Sequence, residues 1–180
     1  MTDPHYPAPT GADRRVASMI RVDHAGEYGA TRIYAGQLAV LGKREQAPLL
    51  RHMLAQEQAH LATFSRLVAD RGVRPTALLP LWHVAGFVLG AATAALGAKA
   101  AMACTVAVEE AIDAHYRAQA DALPESEAAL VETIETFRAE ELEHRDTGLA
   151  HGAEQAPLYG LMARAIKSAC RVAIAVSEVV

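Results

Sequence analysis

Glu57-Gln-Ala-His60 and Glu141-Leu-Glu-His144 are the two places in this chain where a histidine follows a glutamate by one helical turn. On a helix, positions i and i+3 share a face one turn apart, so each pair can offer a carboxylate oxygen and an imidazole nitrogen to one ion. The motif alone is weak. With 14 glutamates and 8 histidines in 180 residues, chance supplies about 0.6 such matches. The repeat around it is stronger. Glu27 precedes Glu57, and Glu109 precedes Glu141, at nearly the same spacing. Each half of the chain reads as a helix with one glutamate, then a helix with Glu-x-x-His.

Apolar spacing supplies the helices. Val16, Ile20, Tyr34, Leu38 and Leu41 recur at helical intervals and predict a helix over 12–41. Leu50, Leu54, Leu61, Phe64 and Val68 mark a second over 47–71, stopped by Gly72-Val73-Arg74-Pro75. Residues 78–96 are nearly uncharged. A further helix over 99–122 is closed by Pro124, and another over 126–151 has Ser126 as its expected N-cap. Pro157 breaks the chain before a last helix over 158–179. No useful strand-like alternation occurs. The expected fold is all-α: a ferritin-like four-helix bundle with a long helical crossover and an additional C-terminal helix. Helix two would be about 37 Å long at 1.5 Å per residue, and 78–96 is nearly long enough, as a helix, to carry the chain back. A flexible tail over 1–11 would precede one domain over 12–180.

All four repeat glutamates fall on apolar stripes. Glu27 shares one with Ile20 and Tyr34, Glu57 with Leu50 and Phe64, Glu109 with Met102 and Val106, and Glu141 with Ile134 and Phe137. Buried carboxylates that close together repel strongly unless cations neutralise them. Two divalent ions would balance four charges, and oxygen ligands with imidazole suit iron or manganese. The candidate ligands are Glu27, Glu57, His60, Glu109, Glu141 and His144; the bland alternative is solvated helix faces with accidental spacing. Glu110, Glu140 and Glu143 compete with their neighbours at poorer spacing. Gln56 and Glu140 can hydrogen-bond a ligand histidine, although simple exposure is the first expectation. His24 is either a ligand, an outer contact or an ordinary polar group near the helix start. His115 and Tyr116, about two turns past Glu109, are candidates to touch a substrate or carry a proton or electron; packing is the competing reading. His5, His52, His83 and His151 belong to no constellation.

Composition narrows the partners. A net charge of −4 gives no basic field for nucleic acid. Cys104 and Cys170 stand far apart in the chain, without a Cys-x-x-Cys, which argues against a disulfide framework or a thiolate metal site and fits a reducing compartment. The first eleven residues contain three prolines and lack the apolar core of a signal peptide. The apolar run 78–103 raises the question of a membrane span; a buried or membrane-lying helix suits it better, since Glu109 must follow in a bundle core. Arg164, Lys167 and Arg171 form a basic stripe beside Leu161, Ile166, Val172, Ala173 and Val176, as on a helix that lies on a membrane. Packing on the bundle is the plainer explanation.

Longer blocks carry a resemblance. Arg21-Val-Asp-His-Ala-Gly-Glu-Tyr-Gly-Ala-Thr-Arg-Ile-Tyr-Ala-Gly-Gln37, Arg74-Pro-Thr-Ala-Leu-Leu-Pro-Leu-Trp82, Ala101-Met-Ala-Cys-Thr-Val-Ala-Val-Glu-Glu110, Phe137-Arg-Ala-Glu-Glu-Leu-Glu-His144 and Cys170-Arg-Val-Ala-Ile174 closely resemble the demethoxyubiquinone hydroxylases of ubiquinone biosynthesis. The resemblance runs from about Met19 to the C-terminus. It implies a ferritin-like monooxygenase with two ferrous ions held by Glu27, Glu57, His60, Glu109, Glu141 and His144, and it selects Glu109 over Glu110. It matches His115 and Tyr116 to the family's histidine–tyrosine pair. Dioxygen would be the co-substrate, and a demethoxy-quinone or quinol with a polyprenyl tail the substrate. Electrons would come from an external donor, since no dinucleotide-binding pattern is present, or from the reduced quinone itself. The expected place is the cytoplasmic side of a bacterial membrane, peripherally bound, with a possible partner protein of the same pathway. Two other classes fit parts of the pattern: an iron-storage ferroxidase, and a quinone- or lipid-binding protein without chemistry, which would not need all six ligands.

Overall fold

The computed structural model describes residues 11–180. Six α-helices follow one another: α1 Gly11–Leu41, α2 Ala47–Asp70, α3 Leu79–Ala95, α4 Ala98–Ala120, α5 Ala128–Ala150 and α6 Tyr159–Val179. There is no strand among the described residues. The expected N-terminal tail falls, Gly11 apart, outside the described residues, as does His5.

Helices α1, α2, α4 and α5 form the bundle, as hairpins α1–α2 and α4–α5. Each connection has a local cause. α2 opens with a proline in its first turn, where a missing N–H is harmless. It closes at Gly72, whose φ of +61° suits glycine. There the Val73 amide reaches back to the Val68 carbonyl at 2.9 Å, and Val73 packs beside Val68. α3 is the crossover. It ends at Leu96-Gly97, where Gly97 takes a φ of +116° that a side chain would resist, and α4 starts at once.

α3 lies on α1 with almost no side chain between them. A Cβ on Gly36 would sit 2.2 Å from the Phe87 carbonyl oxygen, and one on Gly90 would sit 1.9 Å from that of Ile33. The glycines of 78–96 therefore belong to a helix–helix contact. The chain breaks the longer apolar run at Gly97, and among the described residues no helix is long and apolar enough to cross a membrane. The outer face of α3 stays bare, with Leu81, Val84 and Val88 all more than half exposed. α6 packs on α4 and α1, burying Ala163 and Ile166 while Leu161 and Val172 face out. Its basic stripe is divided: Lys167 pairs with Glu110 at 2.8 Å, whereas Arg164 and Arg171 are exposed.

One expectation fails. Ser126 is no N-cap. It lies inside a short 3-10 turn, Glu125–Glu127, and Glu127 holds the cap position without a side-chain hydrogen bond. Pro124, extended at ψ 158°, starts that turn two residues early and shifts the register.

Two apolar clusters fill the bundle. One holds Tyr34, Leu41, Leu50, Met53, Met102 and Val106. The other holds Val16, Ile20, Phe64, Val68, Leu130 and Ile134. Each fully buried large side chain contributes about 1.5–3 kcal/mol. A polar layer lies between the two clusters.

Candidate metal centre

The polar layer is built by one residue from each of two helices and a pair from each of the other two. α1 brings Glu27, α2 brings Glu57 and His60, α4 brings Glu109, and α5 brings Glu141 and His144. None of the six is more than 3% exposed. They form two groups whose donor atoms lie within 4.8 Å of one another: Glu27, Glu57, His60 and Glu141, and Glu57, Glu109, Glu141 and His144. Glu57 and Glu141 belong to both groups, so each could serve two ions. The structure thus brings together the six residues that the repeat singles out.

The donor atoms fit such ions. Both oxygens of Glu57, Oε2 of Glu27 and Oε2 of Glu109 are buried with no hydrogen-bond partner, which in a protein interior is costly unless something positive meets them. Each histidine turns Nδ1 to the carboxylates. His60 Nδ1 lies 3.4 Å from Glu27 and 3.2 Å from Glu141, and His144 Nδ1 lies 3.2 Å from Glu57 and 3.1 Å from Glu141. The protons respond to this crowding. Burial, then repulsion from Glu141 and the other carboxylates, pushes Glu57 and Glu109 well above the usual carboxylate range, and burial raises Glu27. Burial would raise Glu141 too, but hydrogen bonds from His144 and His60 outweigh it and hold that carboxyl at about 2. For His60, burial pulls down, and the hydrogen bond to Glu141 with the nearby Glu27 carboxylate pulls up, to about 11. A cluster without cations must keep protons; two divalent ions would replace them.

A tyrosine supports each terminal glutamate. Tyr34 Oη donates to Glu109 Oε1 at 2.9 Å, and Tyr116 Oη donates to Glu27 Oε1. Burial and the adjacent carboxylates hold both phenols well above their ordinary value, so both remain donors. Tyr116 therefore touches the cluster directly. His115 does not: its Nε2 lies 3.3 Å from Asp23 Oδ1 and 2.9 Å from Gln119 Nε2, one turn away. Gln119 also donates to Asp23 at 2.8 Å. Asp23 is fully buried, and desolvation raises it against the pull of His115.

The remaining candidates separate cleanly. Glu110 leaves the centre for Lys167, and Glu143 is exposed. His24 lies outside both groups, its Nδ1 buried and without a partner. His83 bonds Tyr28 at 2.7 Å, His151 meets the Thr147 carbonyl, and His52 is exposed. Gln56 and Glu140 correct the first expectation. Rather than standing free, Glu140 Oε2 accepts from His60 Nε2 at 2.5 Å, and Gln56 Oε1 accepts from His144 Nε2 at 3.0 Å. Tyr34, Asp23 and Gln119 escaped the sequence reading. Tyr34 had a usable signal, since it stands two turns past Glu27 as Tyr116 stands two turns past Glu109.

An apolar cavity of about 180 Å³ adjoins this layer, between α1, α3, α4 and α6. Gly26 and Val108, the chain neighbours of Glu27 and Glu109, line it, with Gly29, Trp82, Cys170 and Ile174. Cys170 and the buried Cys104 are both free thiols.

Comparison with known proteins agrees with this architecture. Residues 14–177 match the profile of the family described as ubiquinone biosynthesis protein COQ7. The chain is 64% identical over 160 residues to the 3-demethoxyubiquinol 3-hydroxylase of Rhodospirillum rubrum, covering 88% of this chain and 76% of that protein. It is 54% identical over 167 residues to the human mitochondrial NADPH-dependent 3-demethoxyubiquinone 3-hydroxylase, covering 91% and 77%. With the 5-demethoxyubiquinone hydroxylase of Saccharomyces cerevisiae it shares 44% over 173 residues, covering 87% and 74%. The chain belongs to the COQ7 family and is a hydroxylase of ubiquinone biosynthesis.

Proposed function

We propose that the chain hydroxylates the ring of a polyprenylated demethoxy-quinol with dioxygen, using two iron ions held by Glu27, Glu57, His60, Glu109, Glu141 and His144. The observation that carries this reading is the set of buried, unpartnered carboxylate oxygens at the centre of the bundle, placed beside an apolar cavity. Two ferrous ions bound there would supply the electrons and the open coordination for dioxygen chemistry. An external donor, or the reduced quinone itself, would restore them.

The chain's own residues do the rest. Glu57 and Glu141 would serve both ions. Tyr34 and Tyr116 hold the outer carboxylates of Glu109 and Glu27 by donating to one oxygen and leaving the other free. The cavity is of the size that holds a benzene-like ring, about 150 Å³, and its walls are largely apolar. The tail would leave between α3 and α6, whose outer faces expose Leu81, Val84, Val88 and Val172. Those faces, with Arg164 and Arg171, support a peripheral position on a membrane; the cytoplasmic side of a bacterial membrane is the place we assign it. Tyr116 is the candidate proton donor at Glu27, with His115 and Asp23 behind it; a partner protein of the pathway would dock or deliver substrate.

The test is anaerobic loading with ferrous iron, counting ions per chain in the wild type and in a Glu57→Ala, Glu141→Ala double variant, followed by quinol hydroxylation. Two ions and turnover in the wild type, with few ions and no turnover in the variant, are expected. Equal binding in both would sink the metal centre. Two ions without hydroxylation of a short-tailed substrate would sink the reaction.

A further inference from the structure

The two halves of the bundle repeat each other closely enough to be compared position by position. One constant offset along the chain carries Glu27 to Glu109, Tyr34 to Tyr116 and Gln37 to Gln119. A slightly longer one carries Glu57 to Glu141 and His60 to His144. The geometry follows the repeat: each histidine turns Nδ1 inward, and each tyrosine donates to the opposite half's terminal glutamate. Against that symmetry, the outer partners of the histidines differ. Position 140 is a glutamate and its repeat position 56 is a glutamine. His60 Nε2 meets a carboxylate oxygen at 2.5 Å, whereas His144 Nε2 meets an amide oxygen at 3.0 Å.

We propose that this pair makes the two metal positions unequal: Glu140 makes the Glu27–His60 position the tighter one, and Gln56 leaves the Glu109–His144 position the weaker. The inference rests on the two-metal reading above. The physics is that of a hydrogen bond to an ion against one to a neutral group. A carboxylate draws the Nε2 proton more strongly than an amide does, with a charge-assisted bond about twice as strong. Electron density moves to Nδ1, which becomes the better donor to a divalent ion. The carboxylate also adds one negative charge a ring's width from that ion. Loss of such an outer partner typically lowers metal affinity about 10- to 100-fold. His60 is fixed as well as polarised, since its ring stacks on Phe137 with centroids 4.0 Å apart.

A second break in the repeat falls on the same side. Asp23 stands one turn before Glu27, where the other half has Thr105, and His115 stands where the other half has Ile33. Asp23, His115 and Gln119 form a bonded cluster; at the equivalent place Gln37 reaches only the Ala101 carbonyl and the Thr105 hydroxyl. The groups able to carry a proton thus gather at the Glu27–His60 position.

Manganese(II) tests the difference without turnover. Calorimetric titration of the metal-free full chain should give two ions, the first bound about tenfold or more tighter. Crystals grown with one equivalent should show the anomalous manganese peak at Glu27–His60. In a Gln56→Glu, Glu140→Gln double variant the peak should move to Glu109–His144, because the swap keeps both side-chain types and reverses their places. Glu140→Gln alone should bring the two affinities together. Two ions of equal affinity, equal peaks at one equivalent, or a peak that the swap leaves unmoved would overturn the inference while leaving the two-metal reading intact. Fewer than two ions in the wild type at saturation would overturn that reading, and the inference with it. Matching circular-dichroism melts of wild type and swap establish that the comparison is between folded proteins.

Discussion

Alanine at Gly90 and alanine at Gly29 add the same methyl group to neighbouring helices, and they should move the protein in opposite directions. A Cβ on Gly90 would lie 1.9 Å from the Ile33 carbonyl oxygen and 2.8 Å from its carbon. Ordinary carbon–oxygen approach stops at roughly 3.3 Å, so α3 must lift from α1 by about 1.4 Å. Both clashing groups belong to backbones and cannot rotate away, which puts the strain at the upper end for overpacking, about 3 kcal/mol. Helix propensity returns about 1 kcal/mol. The net loss of about 2 kcal/mol lowers Tm by roughly 4–8 °C for a chain of this size. A Cβ on Gly29 meets nothing within 4 Å, so only the propensity gain remains, raising Tm by roughly 2–4 °C. That methyl enters the apolar cavity, however, and should raise KM for the quinol while kcat holds. Thermal melts of the metal-loaded variants, followed by hydroxylation kinetics, decide it. A shift of the same sign at both positions would refute the glycine-packed crossing, and an unchanged KM in Gly29→Ala would refute the cavity as the substrate's place.

The metal-free protein should lose stability as pH rises above the ordinary carboxylate range, because burial and mutual repulsion raise the folded pKa values of Glu27, Glu57 and Glu109. Their contribution is complete below the unfolded carboxylate pKa of about 4.3 and is lost as pH climbs through the raised values. The Tm gain on adding manganese(II) should therefore grow with pH, and a flat gain in differential scanning fluorimetry would contradict the shared cluster. Trp82 is the one tryptophan in the chain and lines the cavity, so a short-chain quinone should quench its fluorescence saturably; quenching no stronger than that of free tryptophan would place the quinone elsewhere. Lysine at Val84 and Val88, both on the bare face of α3, should release the protein from zwitterionic phospholipid vesicles in sedimentation assays while leaving Tm within about 1 °C, as surface changes usually do. Unchanged sedimentation would discount that face as the membrane contact.

The six helices and the six residues that cluster at the bundle centre were legible in the sequence for a shared reason. Helical period and the Glu-x-x-His register are local properties of the chain, and burial of a glutamate follows from its apolar neighbours three and four residues away. What was hidden depends on contacts between helices. Glu140 and Gln56 look exposed along their own helices; only the approach of α5 to α2 turns them onto the two histidines. Asp23 gave no signal because its partner, Gln119, lies on a helix far along the chain. Ser126 misled because an N-cap preference is local, while Pro124 and a 3-10 turn decided where α5 could begin. Gly86 and Gly90 stand inside an apolar run, and only the packing of α3 on α1 shows that they let one backbone rest on another.

α1 has no idle side. Within residues 16–37 it presents Ile20 and Val16 to one apolar cluster, Glu27 and Tyr34 to the carboxylate layer, Asp23 to His115 and Gln119, and Gly29, Ile33 and Gly36 to α3 and the cavity. α5, by contrast, keeps an open flank through Glu132, Glu135, Thr136, Ala139 and Glu143. In a library of all single substitutions the burden of intolerance should thus fall on the longest helix. Drift in the lineage, and any attempt to re-engineer the enzyme for solubility or a new tail, has its room on α5 and on the outer faces of α3 and α6.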